Sequence, residues 1–111
     1  MVDSFFSRFQ MSPEKRLDEV ELLWKEVYNT FHDDEALWNQ YRADVRYLDD
    51  GVGQLLKAGL TKGAQITFGK KIDLLIAAIG VFEDKIKLNY IRRRLRKIKE
   101  HSEKLLDRAA A

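Results

Sequence analysis

Apolar residues recur along most of this chain at alternating intervals of three and four. The clearest stretch runs from Leu88 to Arg108, with Leu88, Ile91, Leu95, Ile98 and Leu105 on one stripe and Ser102 on the single beat that lacks an apolar side chain. This is the heptad pattern of a helix that buries a narrow seam against other helices. Leu17, Val20, Trp24, Val27 and Phe31 form a similar stripe, widened by Leu23 and Tyr28. Trp38, Tyr41, Val45, Leu48, Val52 and Leu55 form another, and Ile72, Leu75, Ile79, Phe82 and Ile86 a fourth. A second stripe, Leu74, Ala77 and Val81, lies beside the fourth. Residues 72–82 are therefore apolar around much of a helix circumference, which predicts the most buried helix of the fold.

End signals divide these stripes. Ser12-Pro13-Glu14 is a helix start: a capping hydroxyl, a proline that loses nothing at the first helical position, and an acid at the positive end of the dipole. The first helix is predicted over 13–31. Asp33 is placed to cap a second helix, predicted over 34–58. Gly51 and Gly53 fall inside it and cost on the order of 2 kcal/mol against alanine, but the stripe keeps its phase across them. Gly59-Leu60 reads as a left-handed stop, with Leu60 folding back on Leu55. Residues 60–69 are compatible with a loop, a short extended piece or a ragged helix start.

From Lys70 onward the pattern is firmly helical, and no glycine, proline or turn dipeptide lies between Val81 and Arg108. Local rules predict a continuous helix from about 70 to 108, roughly 57 Å long against roughly 29 and 37 Å for the first two. The predicted fold is all-α: three long helices, or four in an antiparallel bundle if the last one breaks near 84–89. The chain reads as one domain over 1–111, with an apolar leader at 1–11, whose Phe5, Phe6 and Phe9 suit packing on the body, and a frayed tail at 109–111.

Charge changes the picture more than composition does. The net charge is only +2, but residues 1–50 sum to −6 and residues 51–111 to +8. Arg92, Arg93, Arg94, Arg96, Lys97 and Lys99 lie between the seam residues of the last stretch without an acid among them. Two uses follow. The cations can flank a seam that pairs with another chain, selecting the partner through acidic helices such as residues 33–50. They can also contact phosphates, with Tyr90 stacking on a base of single-stranded nucleic acid. The seam outruns its predicted intrachain partners. The first expectation is therefore a non-enzymatic interaction module that is a homo-oligomer or binds a helical protein through Leu88, Ile91, Leu95, Ile98 and Leu105. The alternative is a nucleic-acid-binding protein that uses the basic face.

Little points to catalysis. The chain has no cysteine, which excludes disulfides, thiolate metal sites and a cysteine nucleophile, and fits a reducing, cytoplasmic setting. His32 and His101 are both expected to face solvent, and Asn29 and Ile98 stand where a Glu-x-x-His metal pair needs glutamate. Asp49-Asp50-Gly51 resembles the start of a calcium loop, but the later ligand positions carry Val52, Gln54 and Leu56. No phosphate loop is present, no apolar run is long enough to span a bilayer, and Asp3 and Arg8 interrupt any secretory signal. No cofactor, metal or small-molecule substrate is implied. Trp24, Trp38, Tyr41 and Tyr47 are expected to pack in the core.

Overall fold

In a computed structural model, four helices follow one another: α1 (Pro13–His32), α2 (Glu35–Ala58), α3 (Lys62–Ile79) and α4 (Lys85–Ala110). The structure describes the backbone of residues 11–110 and the side chains of 11–105, so the reading made for the leader at 1–10 lies outside the described residues, while Ala109 and Ala110, expected to fray, continue α4. Helices adjacent in sequence pack together and α4 closes the ring against α1, giving an up-down-up-down bundle around a single core.

The first two helices stand where their capping chemistry puts them. The Ser12 hydroxyl accepts from the Lys15 amide at 3.2 Å. The second cap is Asp34, accepting from the Leu37 amide at 3.1 Å, and not the neighbouring Asp33. α2 runs unbroken across Gly51 and Gly53 and ends at Gly59, whose φ of +80° an L side chain rarely adopts. α3 starts well before Lys70, because Thr61 caps it by accepting from the Ala64 amide at 3.2 Å.

The expected continuous helix over 70–108 is two helices. α3 ends at Ile79, residues 80–84 turn, and Asp84 caps α4 by accepting from the Lys87 amide at 3.0 Å. Tight bonds from the Gly80 and Phe82 amides to Ala77 and Ile79 carbonyls close the end of α3. The break sits just N-terminal to the 84–89 alternative. Its cause is burial. A straight rod of that length would hold two apolar seams end to end with no cover for the second. Folding back buries Leu88, Ile91, Leu95 and Ile98 to at most 3% exposure, and each such side chain is worth about 1.5–3 kcal/mol. A few backbone bonds at the turn, partly replaced by Asp84, are the smaller loss.

α3 is not the most buried helix. Only one stripe of it, Phe68, Ile72, Leu75 and Ile79, reaches the core, while Leu74 and Val81 are 62% and 81% exposed. Ile86, placed on the same stripe by the sequence pattern, is exposed as well, because the turn resets the helical phase. The aromatic residues divide too. Trp24 and Tyr41 are buried, Trp38 is half-buried, and Tyr47 is exposed with the Lys71 ammonium over its ring. Trp24 Nε1 donates to Asp49 at 2.7 Å, tying α1 to α2, and the Tyr41 hydroxyl donates to the Ala78 carbonyl at 3.0 Å, tying α2 to α3.

Gly51 and Gly53 separate two effects of glycine. A Cβ on Gly51 would stand 2.9 Å from the Phe68 ring, whereas one on Gly53 meets nothing within 4 Å. Gly51 therefore sets how closely α3 approaches α2. Gly53→Ala is expected to stabilise the fold by up to about 1 kcal/mol through helix propensity alone. Gly51→Ala is expected to produce a net loss of roughly 1 kcal/mol, because displacing a buried ring outweighs that gain. Urea unfolding of the two variants should show midpoints moving in opposite directions.

Candidate functional site

Packing of α4 decides what each of its side chains can do. Leu88, Ile91, Leu95 and Ile98 are buried within the chain's own core, and Leu105 packs partly buried against it. These residues are consumed by α1 and α3, so the seam expected to bind another chain is not open to one. Ser102 fills the missing beat as a buried residue, its hydroxyl donating to the Lys99 carbonyl at 2.8 Å.

The six cations around the seam separate by the helix they face. Arg94 faces α1 and pairs with Glu26. Its guanidinium also lies 3.4 Å from the centre of the Tyr90 ring, and the Tyr90 hydroxyl donates to Glu26 at 3.3 Å. Tyr90 is therefore covered on one face by Arg94 and tied by its hydroxyl to Glu26. Lys99 faces α3 and bonds Asp73 at 2.7 Å. Arg92, Arg93, Arg96 and Lys97 make no ion pair among the described residues. With Asn89 and Glu100 they line a shallow depression of about 300 Å³ along α4. Arg92 and Arg93 sit one helical turn, roughly 6 Å, from Arg96 and Lys97, so four cations form a two-by-two array. The Arg92 Nε is buried without a hydrogen-bond partner.

One cation at this end escaped the sequence reading. Lys87 reaches the α1–α2 corner and bonds Asp34 at 2.9 Å. That contact lowers the Asp34 carboxyl below its usual value and raises the Lys87 ammonium above its own. The Arg94 hydrogen bond likewise lowers Glu26. Asp34 thus caps a helix and anchors another, a double use no local pattern signals.

His101 is buried, contrary to its expected place in solvent. It falls seven residues after Arg94 on the α1 side of α4, and Arg16 Nη1 lies 3.0 Å from its Nδ1. Arg16 can only donate, so that nitrogen accepts and the ring is neutral there. His32 is exposed, stacked on Tyr28 and 3.5 Å from Asp33. Among the described residues, no three His, Asp or Glu side chains converge as metal ligands would. A groove of about 580 Å³ runs between α1 and α2, past Trp24, Tyr28 and Leu56 with Glu21, Asp49 and Asp50 at its rim.

Compared with known protein families, characterised proteins and solved structures, the chain shows no match. The surface itself therefore carries the functional assignment.

Burial, then the adjacent Arg16 charge, lowers the His101 pKa below its usual 6.5, against the weaker opposing pull of Glu19 and Glu100; Lys97 adds to the lowering. An unfolded chain takes up that proton more readily than the folded one. Stability is therefore complete above about pH 7 and falls as the pH drops through 6.5. His101→Gln is expected to flatten urea midpoints between about pH 7 and 5. Below 4.5, wild type and variant should decline together, because the unfolded chain takes up protons at Glu26 and Asp34 that the folded chain, with both carboxyls held low, does not.

Proposed function

We propose that this protein is a non-enzymatic helical binding module whose working surface is the outward side of α4, and that its partner is the phosphate backbone of nucleic acid. The observation that carries this is the division of the cations. Arg94, Lys99 and Lys87 are neutralised by Glu26, Asp73 and Asp34, while Arg92, Arg93, Arg96 and Lys97 lie together and make no ion pair among the described residues. A solvated face that served only intrachain pairing would have its cations matched in the same way. Arginine forks suit phosphate oxygens geometrically as well as electrostatically.

The contacts available are to backbone rather than to bases. Tyr90 is engaged with Arg94 and Glu26, and among the described residues no aromatic ring lines the depression. Binding by charge alone is sequence-independent and steeply salt-dependent. Association of the kind first expected, through Leu88, Ile91, Leu95 and Ile98, finds no support, since those side chains are filled by the fold.

Four cations engaging about four phosphates give a slope of log affinity against log salt of about −3.6 on duplex DNA, a loss of roughly 100-fold between 50 and 200 mM salt. Arg93→Gln with Arg96→Gln is expected to reduce the slope by about two and leave the fold intact, since both side chains are exposed. Fluorescence anisotropy with random duplex DNA and RNA tests this. Binding indifferent to salt, or unchanged when Arg93, Arg96 and Lys97 are all replaced by glutamine, would overturn the assignment.

A further inference from the structure

The groove between α1 and α2 has a volume of about 580 Å³, within the range of small-molecule pockets. Helical spacing builds its two walls. Glu21, Lys25 and Tyr28 recur at intervals of four and three along one side of α1, and Asp49, Gly53 and Leu56 do the same on α2. The gap in the second wall is Gly53. It lies inside α2, where glycine is a poor helix former. Its φ is not positive, and a Cβ there would meet nothing within 4 Å. Gly51 is required by the Phe68 ring; nothing in the packing requires Gly53. A local preference set aside with no return in packing marks a functional position.

Charge says what the gap accepts. Glu21, Asp49 and Asp50 stand at the rim and Lys25 is the cation among the lining residues, so three acids and one base leave a balance of −2. None of the four makes an ion pair among the described residues. Elsewhere the chain matches Glu26, Asp34 and Asp73 with a cation from another helix. Arg46, one turn before Asp49 and Asp50, is drawn away over the Trp38 ring, 5.6 Å from its centre. Trp24 Nε1 donates to Asp49 at 2.7 Å and fixes that carboxylate at the wall. Trp24 in turn meets Tyr28 edge to face, ring centres 6.4 Å apart, and Val52 and Leu56 continue the apolar lining.

We infer that this groove binds a small organic cation, an amine carried on an apolar body. The carboxylates do not converge on one point as metal ligands would. An ammonium group has no such requirement. Its apolar body lies on Tyr28, Val52 and Leu56 in the gap at Gly53, and its N–H groups donate to Asp49 and the neighbouring acids. A cleft lined mainly by one sign of charge concentrates ligands of the other. The groove shares no residue with the cation array of α4. The test contains no nucleic acid, so either reading survives the failure of the other.

The probe is 2-phenylethylamine, with 2-phenylethanol as an uncharged body of the same shape. Titration of nitrogen-15-labelled protein at constant salt should give saturable shifts at the Gly53 amide and the Trp24 indole N–H, with the Gly63 amide unmoved. The dissociation constant should lie in the range of about 1–10 mM, and the alcohol should bind about five-fold more weakly. Asp49→Asn with Asp50→Asn should remove that difference, since asparagine still accepts from Trp24 but carries no charge. Gly53→Leu should abolish binding with helical circular dichroism retained and the urea midpoint unchanged or raised. Gly63→Leu, which adds the same side chain to α3, should bind as wild type does. Absence of saturation up to about 50 mM amine, equal affinity for amine and alcohol, or wild-type affinity in folded Gly53→Leu would overturn the inference.

Discussion

Everything in this bundle follows from the need to hide the apolar edge of α4. Leu88, Ile91, Leu95 and Ile98 sit in the core, at 3% exposure or less. Helices α1 and α3 supply the cover on either side. Once that edge faces inward, the rotation of α4 about its axis is set, and so is the direction in which every charged residue points. Six adjacent cations then become three populations: one against Glu26 on α1, one against Asp73 on α3, and four turned away. A packing constraint thereby becomes an electrostatic surface.

The same constraint breaks the chain at 80–84. Local preferences allow a single rod over α3 and α4, but at 100° per residue it would put the seam of α3 (Ile72, Leu75, Ile79) and the seam of α4 (Leu88, Ile91, Leu95) on nearly opposite sides. It would also leave one seam without cover. Burial of several large aliphatic side chains outweighs the loss of a few helical hydrogen bonds, particularly where Asp84 and the turn amides replace part of them. Lys87, carried by the first turn of α4 to Asp34, then clips the two corners at that end together.

The opposed charges of the two halves of the sequence are partly spent inside the molecule. Glu26 and Asp34 from the first half meet Arg94 and Lys87 from the second. Both acids titrate below their usual values for that reason. Exposed pairs of this kind contribute little each, but they remove cations from the surface available to a partner. What remains positive on α4 is smaller than the run of basic residues suggests and more sharply localised.

Much of this was legible in the residues themselves. The all-helical class, the extents of α1 and α2 to within a residue or two, the stop at Gly59 and the inward stripe of α4 with Ser102 on it all follow from periodicity and capping chemistry, which are local. The turn at 80–84, the exposure of Leu74 and Val81, the burial of His101 and the coverage of Tyr90 do not. Periodicity gives the phase of a helix relative to itself. It does not say which of two apolar stripes a neighbour will cover, or whether an acid waits across from a given cation. Those choices depend on side chains dozens of residues away, and only the packed bundle makes them.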